Sequence, residues 1–493
     1  MPNLTNKFVF LCVLCVSVVN IFAQEMPPAP SAPRSVSIPA VKESKLSNGL
    51  KLAVVQRTGV PLVTIQLVIN RGAMFEDVNK AGLADLTASM LTKGTKTRTA
   101  TQIAEAVEFL GGSINSGAGW NSSFASVTVT SDKLDQAMAI LADVVLNPKF
   151  DQKELDLLKS QTLDGLTYNL KQPSFLANYV ASKYSFGEHP VGGTPASIGN
   201  ITRADVAAFH SFNFRPDFSV LIFTGDISAI QADVTATKYF RNWGTADDVL
   251  KHIVLLGNPD SSGPKQTPSK SGSSGVNRFM VIDLPKSGQA SVIYAKPISS
   301  VGRTSGSYYP AAVLNSVLGG GYSSRLNLEI RVKRGLSYGA GSSFTWRNSA
   351  SNFVTRTQTK NQSAAEVVEL VLAEIRKLTE TPVGGDELVP RKSVLTGNFG
   401  RNLETTAGLA SEVGVLYAFG IPTSELNSFV SSVNGVTDAQ IKSFGSQNLM
   451  GGDIIIVGDY SVFKDDLAKR FPNMKVDVIK ADDLDLGKDN LRK

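Results

Sequence analysis

Pairs of residues recur along this chain at a fixed distance. Glu154-Leu155 returns as Glu387-Leu388, Lys159-Ser160 as Lys392-Ser393, Asn169-Leu170 as Asn402-Leu403 and Leu176-Ala177 as Leu409-Ala410, each 233 positions on. Ile201-Thr202 and Phe209 resemble Val436-Thr437 and Phe444 with the register slipped by two, and the offset of 233 returns at Gly225-Asp226 and Gly458-Asp459. A period this long cannot belong to a solenoid and reads as a tandem pair of homologous domains. Each half mixes helical periodicity with hairpin-type strands. The expected class is therefore α+β, two domains each made of a mainly antiparallel sheet packed with helices.

The periodicity within the halves supports this. Asn48-Gly49 between apolar residues signals a turn, and Leu50–Gln56 and Val63–Asn70 read as strands. Ala81–Lys93 reads as a helix with Leu83, Leu86, Met90 and Leu91 on one stripe. Thr99-x-x-Gln102 has the spacing of a capping box, and Gly111-Gly112 closes the helix it opens. Ala125, Val127 and Val129 alternate with Ser126, Thr128 and Thr130 as a half-buried strand, and a helix follows over 133–147.

Composition bounds the function. The 493 residues are 42% hydrophobic and 19% charged, which suits a chain of folded domains and not a disordered one. A net charge of +6, with no basic run of five, argues against nucleic acid as a partner. Lys7, the apolar run Phe8–Val19 and the small residue Ala23 predict a secretory signal peptide over 1–23, too short to span a membrane. Both cysteines, Cys12 and Cys15, lie inside it, so a cleaved chain has no disulfide and no thiolate site. Export, most simply to the periplasm and with no membrane anchor after cleavage, is the expectation. A Pro-rich tether is expected over 24–44 and a first domain over 45–245. A Ser/Gly/Pro-rich linker over 246–277 and a second domain over 278–493 follow.

Little catalytic chemistry is on offer. The three histidines, His189, His210 and His252, lie in separate elements without metal-ligand spacing, so each reads as a structural or surface residue. Gly335-Leu-Ser337-Tyr-Gly339 matches the G-x-S-x-G string of a nucleophile elbow. That motif needs a strand before it and a helix after, whereas here a helical segment (327–333) precedes and an alternating strand (342–347) follows. Gly319-Gly320-Gly321 follows a helix and lacks the Gly-Lys-Ser/Thr ending of a phosphate loop.

The segment AGLADLTASMLTKGT (81–95) resembles the zinc-site helix of insulinase/pitrilysin-type peptidases, as do the stretch 109–112, the block 150–226 and LGGGYSSRLNLEIRVKRGLSYGAGSSF (318–344). These motifs stand in the family's order over nearly the whole mature chain. The resemblance implies the same duplicated fold. The family's inverted zinc motif, His-x-x-Glu-His, sets two ligands on one helix face and a general base between them. The aligned residues here are Asp85, Ala88 and Ser89, and the family's distal glutamate ligand aligns with Gly165. One exposed carboxylate cannot hold catalytic zinc, so no cofactor is expected in this chain.

The family's second functional pair is retained. An arginine and a tyrosine in its C-terminal domain contact substrate and help to stabilise the tetrahedral intermediate, and they match Arg331 and Tyr338. A guanidinium and a phenol are fixed donors for a developing oxyanion. The resemblance therefore implies the non-catalytic subunit of a heterodimeric peptidase. Zinc would be held by a homologous partner, and extended peptides would be the substrates. The alternative is an inactive peptide-binding or scaffold protein of the same fold, using the polar stretch Ser113–Ser123 as a sheet edge.

Overall fold

The computed structural model describes residues 38–244 and 276–493. The expected signal peptide, most of the tether and nearly all of the linker lie outside the described residues. Strands β1 (Lys42–Lys45), β2 (Lys51–Gln56), β3 (Leu62–Ile69), β4 (Ser113–Ala118), β5 (Ser123–Thr130) and β6 (Ser219–Gly225) form one sheet in the order β1-β2-β6-β3-β5-β4. Only β2 and β6 run parallel. Strands β7 (Phe279–Asp283), β8 (Ala290–Ile298), β9 (Ser337–Trp346), β10 (Ser351–Thr359), β11 (Asp453–Gly458) and β12 (Val476–Lys480) form a second, in the order β12-β7-β11-β8-β10-β9.

Five of the six strand positions correspond between the halves, so the duplication read from the residue pairs is one of topology as well. The outermost strand differs. β1 precedes β2 and runs antiparallel to it, whereas β12 arrives from the chain end and runs parallel to β7. β1 also places ordered sheet inside the stretch expected to be tether: Lys42 pairs with Val54, and Ile38 is buried. Ladder hydrogen bonds to β2 override the proline-rich composition just upstream.

The first half carries helices α1 (Leu83–Met90), α2 (Ala100–Phe109), α3 (Leu134–Leu146), α4 (Gln152–Asn169), α5 (Pro173–Tyr184), α6 (Pro195–Asn200), α7 (Arg203–Asn213) and α8 (Ala229–Phe240). The second carries α9 (Tyr308–Leu318), α10 (Ala364–Glu380), α11 (Gly385–Asn402), α12 (Thr406–Phe419), α13 (Glu425–Gly435), α14 (Asp438–Asn448) and α15 (Tyr460–Arg470). The capping box opens α2: the Gln102 amide donates to Thr99 Oγ1 at 3.2 Å, and the Thr99 amide donates to Gln102 Oε1 at 2.9 Å. α1 is shorter than the 81–93 expected, because Gly82 sits at φ +95°, outside helical geometry, and only Leu83 onward can continue the turn.

Each sheet buries one face under helices of its own half. Leu52, Val54, Leu221 and Phe223 join the core of the first, and Phe279, Val281, Ile454 and Ile456 that of the second. The opposite faces are covered by the other half. Ala53, Val55, Val220 and Ile222 pack on Leu409, Ala410 and Val413 of α12. Reciprocally, Met280, Ile282, Ile293 and Ile455 pack on Leu176, Ala177 and Val180 of α5. This exchange explains why β2 and β6 read as unbroken apolar runs, since both faces of those strands are buried. Residues 38–493 form one compact unit.

Candidate functional site

α1 is anchored from its N-terminus. Both oxygens of Glu76 accept backbone N–H bonds there, from Gly82 at 2.8 Å and Ala84 at 2.7 Å. A carboxylate fits that position, where unpaired amides and the helix dipole favour negative charge. His189 completes the anchor, its Nε2 lying 2.9 Å from Glu76 Oε1 and 3.1 Å from the Ala73 carbonyl oxygen. Both neighbours are acceptors, so Nε2 carries the proton and donates. The ring is buried against Trp120, centroids 5.0 Å apart. Glu76 was not anticipated from sequence; its partners are brought to it only by folding, His189 from 113 residues away.

α1 packs against β4 and α4, which brings the helix holding Asp85, Ala88 and Ser89 against the helix holding Gly165. Ala88 is fully buried, and its carbonyl accepts from Ser116 Oγ at 2.8 Å. Asp85 is half-buried and not the exposed carboxylate expected. Desolvation raises its pKa, with a backbone hydrogen bond at Ala118 opposing. Burial of the Tyr179 phenol, with the Asp85 charge as the smaller cause, pushes that phenol up to about 12. The donor set at these positions is thus one carboxyl with a weakened preference for its charged form, a methyl, a hydroxyl and a hydrogen. That set does not fit a zinc ion, which takes three protein ligands in a catalytic site. Among the described residues, no group of three His, Cys, Asp or Glu side chains is placed to hold a metal.

The second site lies on the other half. Residues 327–332 form a π-helical turn, with the Lys333 amide donating to the Leu328 carbonyl at 2.9 Å, and not the ordinary helix expected there. Arg331 lies on this turn with its guanidinium 4.9 Å from the Tyr322 ring centroid. Tyr338 is the second residue of β9, an edge strand that begins earlier than the 342–347 expected. The ladder slips here: Ser337 pairs with Thr359 and Ala340 with Thr357, leaving Tyr338 and Gly339 opposite Gln358 alone. Such a bulge re-aims a side chain, and Tyr338 is 90% exposed. Among the described residues, neither the Tyr338 hydroxyl nor the Arg331 guanidinium has a hydrogen-bond or carboxylate partner. Ser337, by contrast, is spent on the backbone, its hydroxyl donating toward the carbonyls of Gly339 and Gln358 at 2.7 and 2.6 Å.

Between the halves lies a cavity of about 750 Å³. It is walled by β3 and β5 of the first sheet, β10 of the second, and the two exchanged helices α5 and α12. At its side a buried ion pair joins the halves, Arg347 donating to Glu188 Oε2 at 2.6 Å and Oε1 at 3.1 Å. Asp85, Ala88, Ser89, Gly165, Arg331 and Tyr338 do not line this cavity.

Two family descriptions match this architecture in order along the chain. Residues 51–183 match the insulinase (peptidase family M16) domain, and residues 200–392 match the peptidase M16 inactive domain. The chain belongs to the insulinase family. Among relatives, an uncharacterized zinc protease of Rickettsia felis is 26% identical over 79% of this chain and 91% of its own. One of Bacillus subtilis is 22% identical over 83% and 95%. A solved structure of a peptidase M16 inactive domain from Pseudomonas fluorescens superposes with a TM-score of 0.74 at 26% identity, covering 85% of this chain and 98% of that one. A protease from Helicobacter pylori shares the fold at a TM-score of 0.75 and 16% identity, over 86% and 100%.

Proposed function

We propose that this chain is the non-catalytic subunit of a heterodimeric insulinase-type metallopeptidase, exported with a homologous zinc-bearing partner whose active site it completes. Arg331 and Tyr338 supply hydrogen-bond donors in trans to an extended peptide substrate and to the oxyanion that forms when its carbonyl is attacked. The observation carrying this reading is the contrast between two sites. Asp85, Ala88, Ser89 and Gly165 do not make a zinc ligand set, while Tyr338 stands 90% exposed on a bulged edge strand with its hydroxyl uncommitted. A phenol that only packed would be buried, and one held for structure would be hydrogen-bonded. The names of its relatives as zinc proteases fit a division of labour in which the metal belongs to the partner.

The test is turnover by the chain reconstituted with a zinc-bearing homologue, complex formation being followed separately by size. Tyr338→Phe keeps the ring and removes one donor, so the complex should form while turnover falls about 10²–10³-fold. Arg331→Ala should be comparably harmful. Variant complexes that assemble and turn over like wild type would leave an inactive peptide-binding protein as the better account. For that second reading the supporting observation is β4, an edge strand that among the described residues pairs with β5 alone.

A further inference from the structure

The cavity between the halves contains a cation that no carboxylate among the described residues neutralises. Arg356, on β10, lines it, and its guanidinium is held from both halves by neutral acceptors. Nε donates to Asn178 Oδ1 of α5 at 2.6 Å, and Nη1 donates to Ser343 Oγ of β9 at 2.7 Å. No carboxylate pairs with it among the described residues. The side chain is exposed to the open cavity, with Nε and Nη1 held in place by these two bonds. The acid that does line the cavity, Glu188, is already bidentate to Arg347. The remaining walls mix neutral amides, among them Gln66, Asn115 and Asn352, with apolar side chains such as Val68, Val354, Trp120 and Phe124.

From this we infer that the cavity is a binding site for the free C-terminal end of a short peptide, its α-carboxylate received by Arg356. One unpaired cation suits a monoanion; a phosphorylated ligand would call for more. A fixed guanidinium with two edges already oriented presents its remaining N–H groups as a fork for a carboxylate. The side-chain amides pair a donor with an acceptor, as a peptide bond does, whereas the chain of a fatty acid would leave them unsatisfied. The aromatic walls accept an apolar terminal side chain. The volume lies within the range of small-molecule sites. This site is separate from Arg331 and Tyr338, and its test needs no partner subunit.

The experiment is calorimetric titration of the full mature chain with acetyl-Ala-Ala-Phe and with the same tripeptide as its C-terminal amide. The acid should bind at least tenfold more tightly than the amide. Arg356→Gln should abolish that preference, and Ser411→Trp, which narrows the cavity from α12, should weaken the acid at least tenfold. Acid and amide binding alike, or no binding of the acid at millimolar concentration, overturns the proposal on the wild-type chain, whether or not the variants fold. Acid binding unchanged by Arg356→Gln or by Ser411→Trp overturns it too, and free phenylalanine binding as tightly as the tripeptide overturns the assignment to a peptide. None of these results bears on the Arg331/Tyr338 reading, which is measured by turnover of the reconstituted pair.

Discussion

His210 shows how one side chain links packing to pH. It sits on α7 against Phe214, stacked at 4.8 Å, and edge-on to Phe150 at 5.3 Å, with Nε2 donating to the Val145 carbonyl at 2.9 Å. Burial pushes its pKa down from 6.5 to about 4, the hydrogen bond at Val145 opposing. The folded state therefore resists a proton that the unfolded chain accepts. The corresponding stability is intact above pH 6.5 and is lost as pH falls from there toward about 4. The loss should reach at most about 3 kcal/mol, reduced by whatever solvent reaches the ring. Urea midpoints measured across that window should fall for wild type and change less for His210→Gln. Parallel slopes for the two proteins would show that other groups carry the acid sensitivity.

At the scale of elements, the exchanged helices decide how the halves cohere. Leu409 on α12 is fully buried against the first sheet, and Leu176 on α5 is nearly so against the second. Truncating either to Ala removes a buried side chain and leaves a cavity, at a cost of about 2–5 kcal/mol. The two residues belong to different apolar clusters, so their costs should add within a few tenths of a kcal/mol. Because each helix belongs in sequence to the half it does not cover, circular dichroism and tryptophan fluorescence should shift together in either variant. Two separated transitions in Leu409→Ala would show instead that the halves unfold independently. These leucines are among the residues that recur at an offset of 233. The repeat and the interface are therefore one feature.

Across the whole molecule, the Arg347–Glu188 pair ties the halves together beside the cavity, with side chains only 10% and 9% exposed. Arg347 also lies 4.9 Å from the Trp120 ring centroid, linking the pair to the His189–Glu76 anchor of α1. Burying two charges is costly, so the pair adds little net stability over apolar groups of the same size, but orphaning one member is expensive. Arg347→Met should destabilise by about 3–5 kcal/mol, and adding Glu188→Met should recover most of that loss. A double variant no more stable than the single would argue against direct coupling. The experiment is a double-mutant cycle in urea.

The sequence alone determined the duplicated α+β architecture, the capped helix α2, the alternating strand β5 and the family. Each of these is written in local periodicity or in repeated residues, which survive without knowledge of contacts. Other features depended on partners far along the chain. Glu76 is an anchor only because His189 arrives from 113 residues away, and Arg347 pairs with a glutamate 159 residues distant. Asp85 has the same residue type whether exposed or desolvated; packing of α1 against β4 and α4 made it the latter. The bulge that turns Tyr338 outward is a property of the β9–β10 register, and the cavity around Arg356 exists only where two sheets and two exchanged helices meet. Sequence fixes what each residue can donate, accept or bury, and tertiary structure decides which of those capacities is already spent.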